Sequence, residues 1–349
     1  MNILAIADQF IRTSAMKAGL EELEGAGNKI VVREWQHANI EELQRDNLLI
    51  EQGGSASVKL PPELFTDIAS FDALIVQFTP VPASVIQSAN DLKFIAVLRS
   101  GVENIDLKEA TARNIPVLNT PGRNARAVAE FTLGMMLAET RNIARTHEAL
   151  RKGQWLKDYP NSESGIPELY RKTIGLVGFG QVARLLAGYL TAFGCQIIVY
   201  DPWYRGDVAG IVSVDLDTLL RRSDIVSVHA RYSAETHGLI GEAQLALMKS
   251  TAILVNTARS GLVDQCALVK ALRERRIQGA SIDVFDNEPI PTDDGILGLD
   301  NITLTPHLAG STKDAFENSP RLFASNLLAW MKDKKPLPIV NGVAIQSLS

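Results

Sequence analysis

At 349 residues the chain is longer than one ordinary hydrophobic core supports, so two domains are expected. Its 46% hydrophobic and 21% charged residues have the balance of a soluble globular protein, and a net charge of −5 offers nothing to nucleic acid or an anionic membrane. Cys195 and Cys266 stand in no metal or redox spacing, no basic leader opens the chain, and no apolar run nears the roughly 18 residues of a membrane span. The expectation is a cytoplasmic protein with two reduced packing cysteines and no metal site.

The first 118 residues alternate buried-strand and helix patterns, the mark of a parallel sheet covered on both faces. Strands are expected at Ile3 to Ala7, Ile30 to Glu34, Ala73 to Val76, Phe94 to Leu98 and Pro116 to Leu118. Gln52 to Ser57, followed by Pro61-Pro62, reads as a surface loop. Pro80 and Pro82 turn the chain at the carboxyl end of the third strand, where α/β sheets place ligands. Ser100-Gly101 follows the fourth strand, and its glycine lets main-chain N–H groups form an anion nest fit for a carboxylate. An ordinary βα turn would carry the same glycine. Ala125 to about Leu150 reads as one long helix leading to the second domain.

Lys172 to Trp203 is a complete nucleotide-binding unit. Ile174 to Val177 is a buried strand, Gly178-Phe179-Gly180 a tight turn, and Leu185, Leu186, Tyr189 and Leu190 recur at helical spacing. Gly194 ends that helix, and Gln196 to Tyr200 is the next strand. Gly180 leaves room for a pyrophosphate on the helix N-terminus, and Ala183 stands where the fingerprint tolerates a methyl group. Asp201 lies 21 residues beyond Gly180, where a carboxylate accepts from the ribose hydroxyls and repels a 2′-phosphate. NAD is therefore expected rather than NADP.

Further strands are expected at Ile225 to Val228, Ile253 to Asn256 and Ala280 to Val284, with a loop and short strand over Arg205 to Val214 and a short helix over Leu216 to Arg222. Ala315 to Met331 reads as an amphipathic helix returning to the first domain. The expected architecture is α/β, two Rossmann-like doubly wound parallel-sheet domains. Residues 1–118 and 312–349 form a discontinuous, flavodoxin-like substrate domain, and 119–311 an NAD-binding Rossmann domain.

Arg259, Glu288 and His307 stand after consecutive elements of the second domain. Reduction of a 2-oxo acid needs a guanidinium for the carboxylate and carbonyl, an acid for the developing alkoxide, and a carboxylate that keeps this acid charged. Taken singly, each residue is as well explained by a surface ion pair, a solvated turn or a satisfied loop histidine.

Four segments change that balance: Gly178-Phe179-Gly180-Gln181-Val182-Ala183, Asn256 to Asp264, Asp283-Val284-Phe285-Asp286-Asn287-Glu288-Pro289 and Thr305-Pro306-His307-Leu308-Ala309-Gly310. In order and spacing the chain resembles the NAD-dependent D-isomer-specific 2-hydroxyacid dehydrogenases over nearly its whole length. The resemblance implies that Arg259 orients the 2-oxo acid and that His307 is the proton donor and acceptor, with Glu288 as its partner. It implies cofactor contacts from Gly178, Gly180, Gln181, Val182, Asp201, Ala230, Thr257, Ala258 and Asp283, the last accepting from the nicotinamide carboxamide. Ser100 and Gly101 match the loop that holds the substrate carboxylate. A homodimer through the helix from Ala125, and closure of the domains on the ligands, are also implied. Arg231 departs from the proline common in the His229-Ala230 turn.

Phosphoglycerate dehydrogenases of this family carry arginines where this chain has Gln77 and Val97; Arg99, Arg123 and Arg126 are the candidates to replace them for a distal phosphate or carboxylate. With the sequence ending at Ser349, the regulatory domain that some of those enzymes append is not expected. Formate dehydrogenases place Gln at Glu288. The expected partner is a small 2-hydroxy or 2-oxo acid, without nucleic acid or membrane. The alternative from another class is an NAD(H)-sensing corepressor-like protein of the same fold.

Overall fold

The computed structural model describes residues 1–159 and 167–345. The chain forms two compact units, Met1–Arg123 with Lys313–Ser349, and Asn124–Thr312; of the expected first domain, residues 346–349 lie outside the described residues.

In the first unit, strands β1 (Asn2–Ala7), β2 (Lys29–Glu34), β3 (Ala73–Val76), β4 (Phe94–Val97) and β5 (Val117–Asn119) form a parallel sheet in the order β2-β1-β3-β4-β5. This is the flavodoxin-like order, whose ligands gather at the carboxyl ends of the strands. Strands β1, β3 and β4 are almost wholly apolar and buried because helices cover both faces. Phe323, Ala324 and Leu327 of the returning helix complete that core.

In the second unit, β6 (Thr173–Val177), β7 (Gln196–Tyr200), β8 (Val212–Ser213), β9 (Ile225–Val228), β10 (Ile253–Asn256), β11 (Gly279–Ile282) and β12 (Ile302–Leu304) form a parallel sheet in the order β12-β11-β10-β9-β6-β7-β8. The order reverses between β6 and β9, which opens a crevice at their carboxyl ends. Side chains alternate across it. Ile174, Leu176, Ile253 and Val255 pack with Met135, Met136 and Leu186 on one face, whereas Val177, Val226 and Leu254 pack with Leu219, Leu268 and Leu272 on the other.

The long helix expected from Ala125 to about Leu150 is two helices, Ala125–Thr140 and Ile143–Arg151, because Asn142 between them is left-handed at φ +56°. The returning helix is likewise divided, Lys313–Glu317 and Ser319–Asp333, with Pro320 in the first turn of the second piece, where its missing N–H costs nothing. β11 stops at Ile282 rather than Val284, and Asp283 just beyond it keeps one backbone bond to the sheet, its N–H donating to the Asn256 carbonyl at 3.0 Å. Cys195 is half-buried and donates to the Leu169 carbonyl at 3.2 Å, but Cys266 is exposed and is no packing residue.

Candidate active site

The fingerprint turn is built by two glycines with different tasks. Gly178 follows β6 at φ +90°, and a Cβ there would lie 2.5 Å from the Ala230 nitrogen. Only glycine lets the turn after β6 touch the His229-Ala230 turn after β9. At Gly180 a Cβ would meet nothing within 4 Å, so its hydrogen faces open space above the helix Gln181–Ala192. That helix has no side-chain cap and no acidic residue in its first turn, which leaves the N–H groups at Gln181 and Val182 to an anion. Ala183 is fully buried against the sheet.

Asp201 closes the same turn. Its Oδ2 accepts from the Phe179 N–H and its Oδ1 from the Trp203 N–H, both at 2.7 Å. The carboxylate therefore fixes the glycine turn and its own loop, and each oxygen keeps a lone pair for a hydroxyl. These features fit a dinucleotide: a cradle without Cβ atoms, an uncapped helix and a held carboxylate.

In the His229-Ala230 turn, His229 Nε2 lies 2.8 Å from Ser227 Oγ, a contact that the sequence does not disclose. Burial pushes this imidazole down to about 4, so it is neutral at physiological pH.

Arg259, Asp283 and His307 follow β10, β11 and β12, which are neighbours in a parallel sheet, so all three stand at one edge. Buried Asn256 braces the first loop, donating to the Arg259 carbonyl at 2.9 Å and accepting from the Ala258 N–H at 3.0 Å. Arg259 itself is exposed, and Nη1 donates to the Ala258 carbonyl at 2.7 Å. Among the described residues it is held in no ion pair. Thr257 is buried, its hydroxyl 2.7 Å from that of Thr132.

Glu288 and His307 meet directly: Oε2 lies 2.7 Å from Nδ1, while Oε1 accepts from the Phe285 N–H at 3.0 Å. His307 is a non-glycine residue at φ +52°. Such a conformation persists only when its surroundings enforce it. Here they do so through Asp283, fully buried, whose Oδ1 accepts from Thr305 Oγ1 at 2.6 Å and the Leu308 N–H at 2.9 Å, and whose Oδ2 accepts from the Ala309 N–H at 2.9 Å. The residue expected to meet the nicotinamide is thus also the clasp of the histidine loop, with one lone pair left on Oδ2.

In the first unit, Ser100 is exposed and its carbonyl accepts from Asn119 Nδ2 at 2.7 Å. Beside it, a Cβ on Gly101 would lie 2.4 Å from a Glu103 carboxylate oxygen. The bracing residues Asn256 and Ser227 escaped the sequence reading because their partners are set by loop geometry.

Residues 133–309 match the family described as D-isomer specific 2-hydroxyacid dehydrogenase, NAD binding domain. The chain is 44% identical over 285 residues to a glyoxylate reductase of Thermofilum pendens, covering 80% of this chain and 84% of that one. It is 38% identical over 290 residues to a D-3-phosphoglycerate dehydrogenase of Archaeoglobus fulgidus, covering 82% of this chain and 54% of that one. In fold it is similar to the NAD-complexed D-isomer specific 2-hydroxyacid dehydrogenase of Lactobacillus delbrueckii ssp. bulgaricus, with TM-score 0.75, 24% identity, and coverage of 97% of this chain and 100% of that one. No helix among the described residues is long and apolar enough to cross a membrane. The chain belongs to the D-isomer specific 2-hydroxyacid dehydrogenases and is an NAD-dependent oxidoreductase.

Proposed function

We propose that the protein interconverts a D-2-hydroxy acid and its 2-oxo acid, with Arg259 holding the substrate and the Glu288-His307 pair moving the proton. The observation that carries this reading is the 2.7 Å contact between Glu288 Oε2 and His307 Nδ1, at the same carboxyl edge of the sheet as Arg259. The carboxylate fixes which imidazole nitrogen faces the reaction: with Nδ1–H given to Glu288, Nε2 is left to hand a proton to a substrate oxygen.

A bound nicotinamide cofactor would supply the hydride as NADH in reduction and take it up as NAD⁺ in oxidation. Arg259 offers a planar fork of donors to a carboxylate and the adjoining carbonyl, with its backbone held from behind by Asn256. In the first unit, Ser100 and Gly101 offer main-chain donors for a carboxylate. Asp201 receives the ribose, Gly178, Gly180, Gln181 and Val182 the pyrophosphate, Ala230, Thr257 and Ala258 line the cofactor, and the spare lone pair of Asp283 takes the carboxamide. The first unit is then the substrate domain and the second the NAD domain. Exposed Ile143, Leu150, Trp155 and Leu156 support a homodimer through this stretch.

The relatives named as glyoxylate reductase and hydroxypyruvate reductase support turnover over a sensing role without chemistry. The test is NADH oxidation by the purified protein with glyoxylate, hydroxypyruvate, 3-phosphohydroxypyruvate and longer sugar-derived 2-oxo acids. Turnover at ordinary enzymatic rates with at least one is expected, and NADH binding without turnover on any would support the sensor.

A further inference from the structure

Residues 283–301, between β11 and β12, contain neither helix nor strand, yet Glu288 in their midst meets His307 at hydrogen-bond distance. Loops this long without regular structure are uncommon in compact domains, and specific contacts must hold their shape. Two consecutive N–H groups of this segment are given to side chains: that of Phe285 to Glu288 Oε1 at 3.0 Å, and that of Asp286 to Gln265 Oε1 at 3.2 Å. The peptide gripped by Glu288 is thus followed at once by one gripped by Gln265. Gln265 Nε2 donates to Asp294 Oδ2 at 3.3 Å, and Asp294 Oδ1 accepts from the Ile296 N–H at 2.9 Å. One side-chain amide therefore pins the segment on both sides of Glu288.

Gln265 stands on a firm base. It opens the helix Gln265–Arg273, whose start is fixed by Asp264 accepting from the Ala267 N–H at 2.9 Å. Arg259 lies six residues upstream, and between them Leu262 and Val263 are buried in the core that also holds Phe285 and Ile296. The half-buried amide thus links the segment bearing Arg259 to the segment bearing Glu288. Its two partners select glutamine. A backbone N–H can only donate and a carboxylate only accept, so the residue between them must offer one acceptor and one donor at a single end. Glutamate would keep the first bond but set a second carboxylate against Asp294, asparagine is one methylene short, and methionine has the length but neither group.

We propose that Gln265 is a positioning residue for the proton-transfer pair, acting on Glu288 through the Asp286 peptide and keeping its carboxylate in register with His307. The inference rests on the proposed function, since it takes Glu288 and His307 to move the proton. Gln265 reaches Glu288 through the backbone and is offered no role in holding substrate or cofactor. Its loss therefore falls on kcat, and not on KM for the 2-oxo acid or on NADH affinity.

The test is steady-state reduction of whichever of glyoxylate, hydroxypyruvate and 3-phosphohydroxypyruvate the wild type turns over fastest, with NADH affinity from fluorescence titration and Tm from thermal denaturation. Gln265→Met is expected to lower kcat about tenfold while KM and NADH affinity stay within about threefold, a modest share of what a misplaced reacting group can cost. Gln265→Glu is expected to lose as much. Combining Gln265→Glu with Asp294→Asn is expected to recover most of the loss, because the amide at position 294 then donates to the carboxylate at 265. A packing role would lower Tm in the single variants and leave kcat alone. Wild-type kcat in both single variants, a loss shared equally by NADH affinity, or no recovery in the double variant overturns the inference. His307→Ala separates the two readings. If it matches the wild type, or if the wild type reduces none of the three acids, the proposed function fails and this inference with it; an impaired His307→Ala beside unimpaired Gln265 variants removes this inference alone.

Discussion

Glu288 Oε2 and His307 Nδ1, from loops after β11 and β12, lie 2.7 Å apart although 19 residues separate them. Each is held by a second contact: Glu288 by the Phe285 N–H, and the His307 loop by Asp283. The pair is set in place before any ligand arrives, so little reorganisation is left for the proton transfer.

His307→Ala should lower turnover by about two to four orders of magnitude while NADH affinity stays nearly unchanged, as expected for loss of general acid catalysis. Glu288→Gln replaces the acceptor that holds His307 Nδ1, so turnover should fall in this variant too while NADH affinity holds. Steady-state turnover of both variants, with NADH affinity from fluorescence titration, checks this; wild-type turnover in Glu288→Gln would release Glu288 from its role.

Asp201 should make the enzyme prefer NAD over NADP by at least about tenfold, or roughly 1.4 kcal/mol. Because its oxygens also hold the Phe179 and Trp203 N–H groups, Asp201→Asn is the better variant than Asp201→Ala. The amide oxygen keeps one of those bonds and the charge is gone. Kinetics with both cofactors should show the gap narrowing, and equal use of the two by the wild type would count against the assignment.

Arg259→Lys should remain impaired, since an ammonium cannot reproduce the two parallel hydrogen bonds of a guanidinium to a carboxylate. The loss should fall on KM for the 2-oxo acid and on kcat together, with NADH binding little changed. With no ion pair to lose, stability should shift by less than about 1 kcal/mol. Wild-type kinetics in Arg259→Lys and Arg259→Ala would remove this residue from the site.

Burial raises Asp8 from 3.8 to about 6, so its effect on stability has a definite sign. The folded state holds the proton more tightly than the unfolded chain; the contribution is complete below about pH 4 and is lost as pH rises through about 6, roughly 3 kcal/mol in all. Asp8→Asn keeps an acceptor for the Phe10 and Ile11 N–H groups and does not titrate. Denaturation between pH 4 and 7.5 should show a flatter stability profile in the variant, with its relative gain at the alkaline end.

Much of this was legible because short-range rules governed it. The helix Leu216–Arg222 runs where its pattern placed it, with Asp215 accepting from the Thr218 N–H at its start and Arg221 and Arg222 in its last turn. Strands β3, β9 and β10 match their apolar runs for the same reason. What escaped was decided by distant partners. The break at Asn142 sits inside an apolar helical pattern, and a left-handed asparagine leaves no trace in periodicity. Asp283 read as a cofactor ligand, but three of its hydrogen bonds come from residues 22 to 26 positions away. The pairing of Arg99 with Glu51 and Glu103 likewise depends on which carboxylates the fold brings near.

The clasp formed by Asp283 separates two properties that usually travel together, surface position and rapid exchange with solvent. His307 is 47% exposed in its side chain, yet the amide protons of Leu308 and Ala309 just after it end on a carboxylate with no solvent exposure. In deuterated buffer these two should be among the slowest-exchanging loop amides of the second unit, far slower than those of the exposed turn at Glu235, because exchange requires the clasp to open. Asp283→Asn, in which one oxygen becomes an NH2 group, should make them fast while the strands on either side keep their protection.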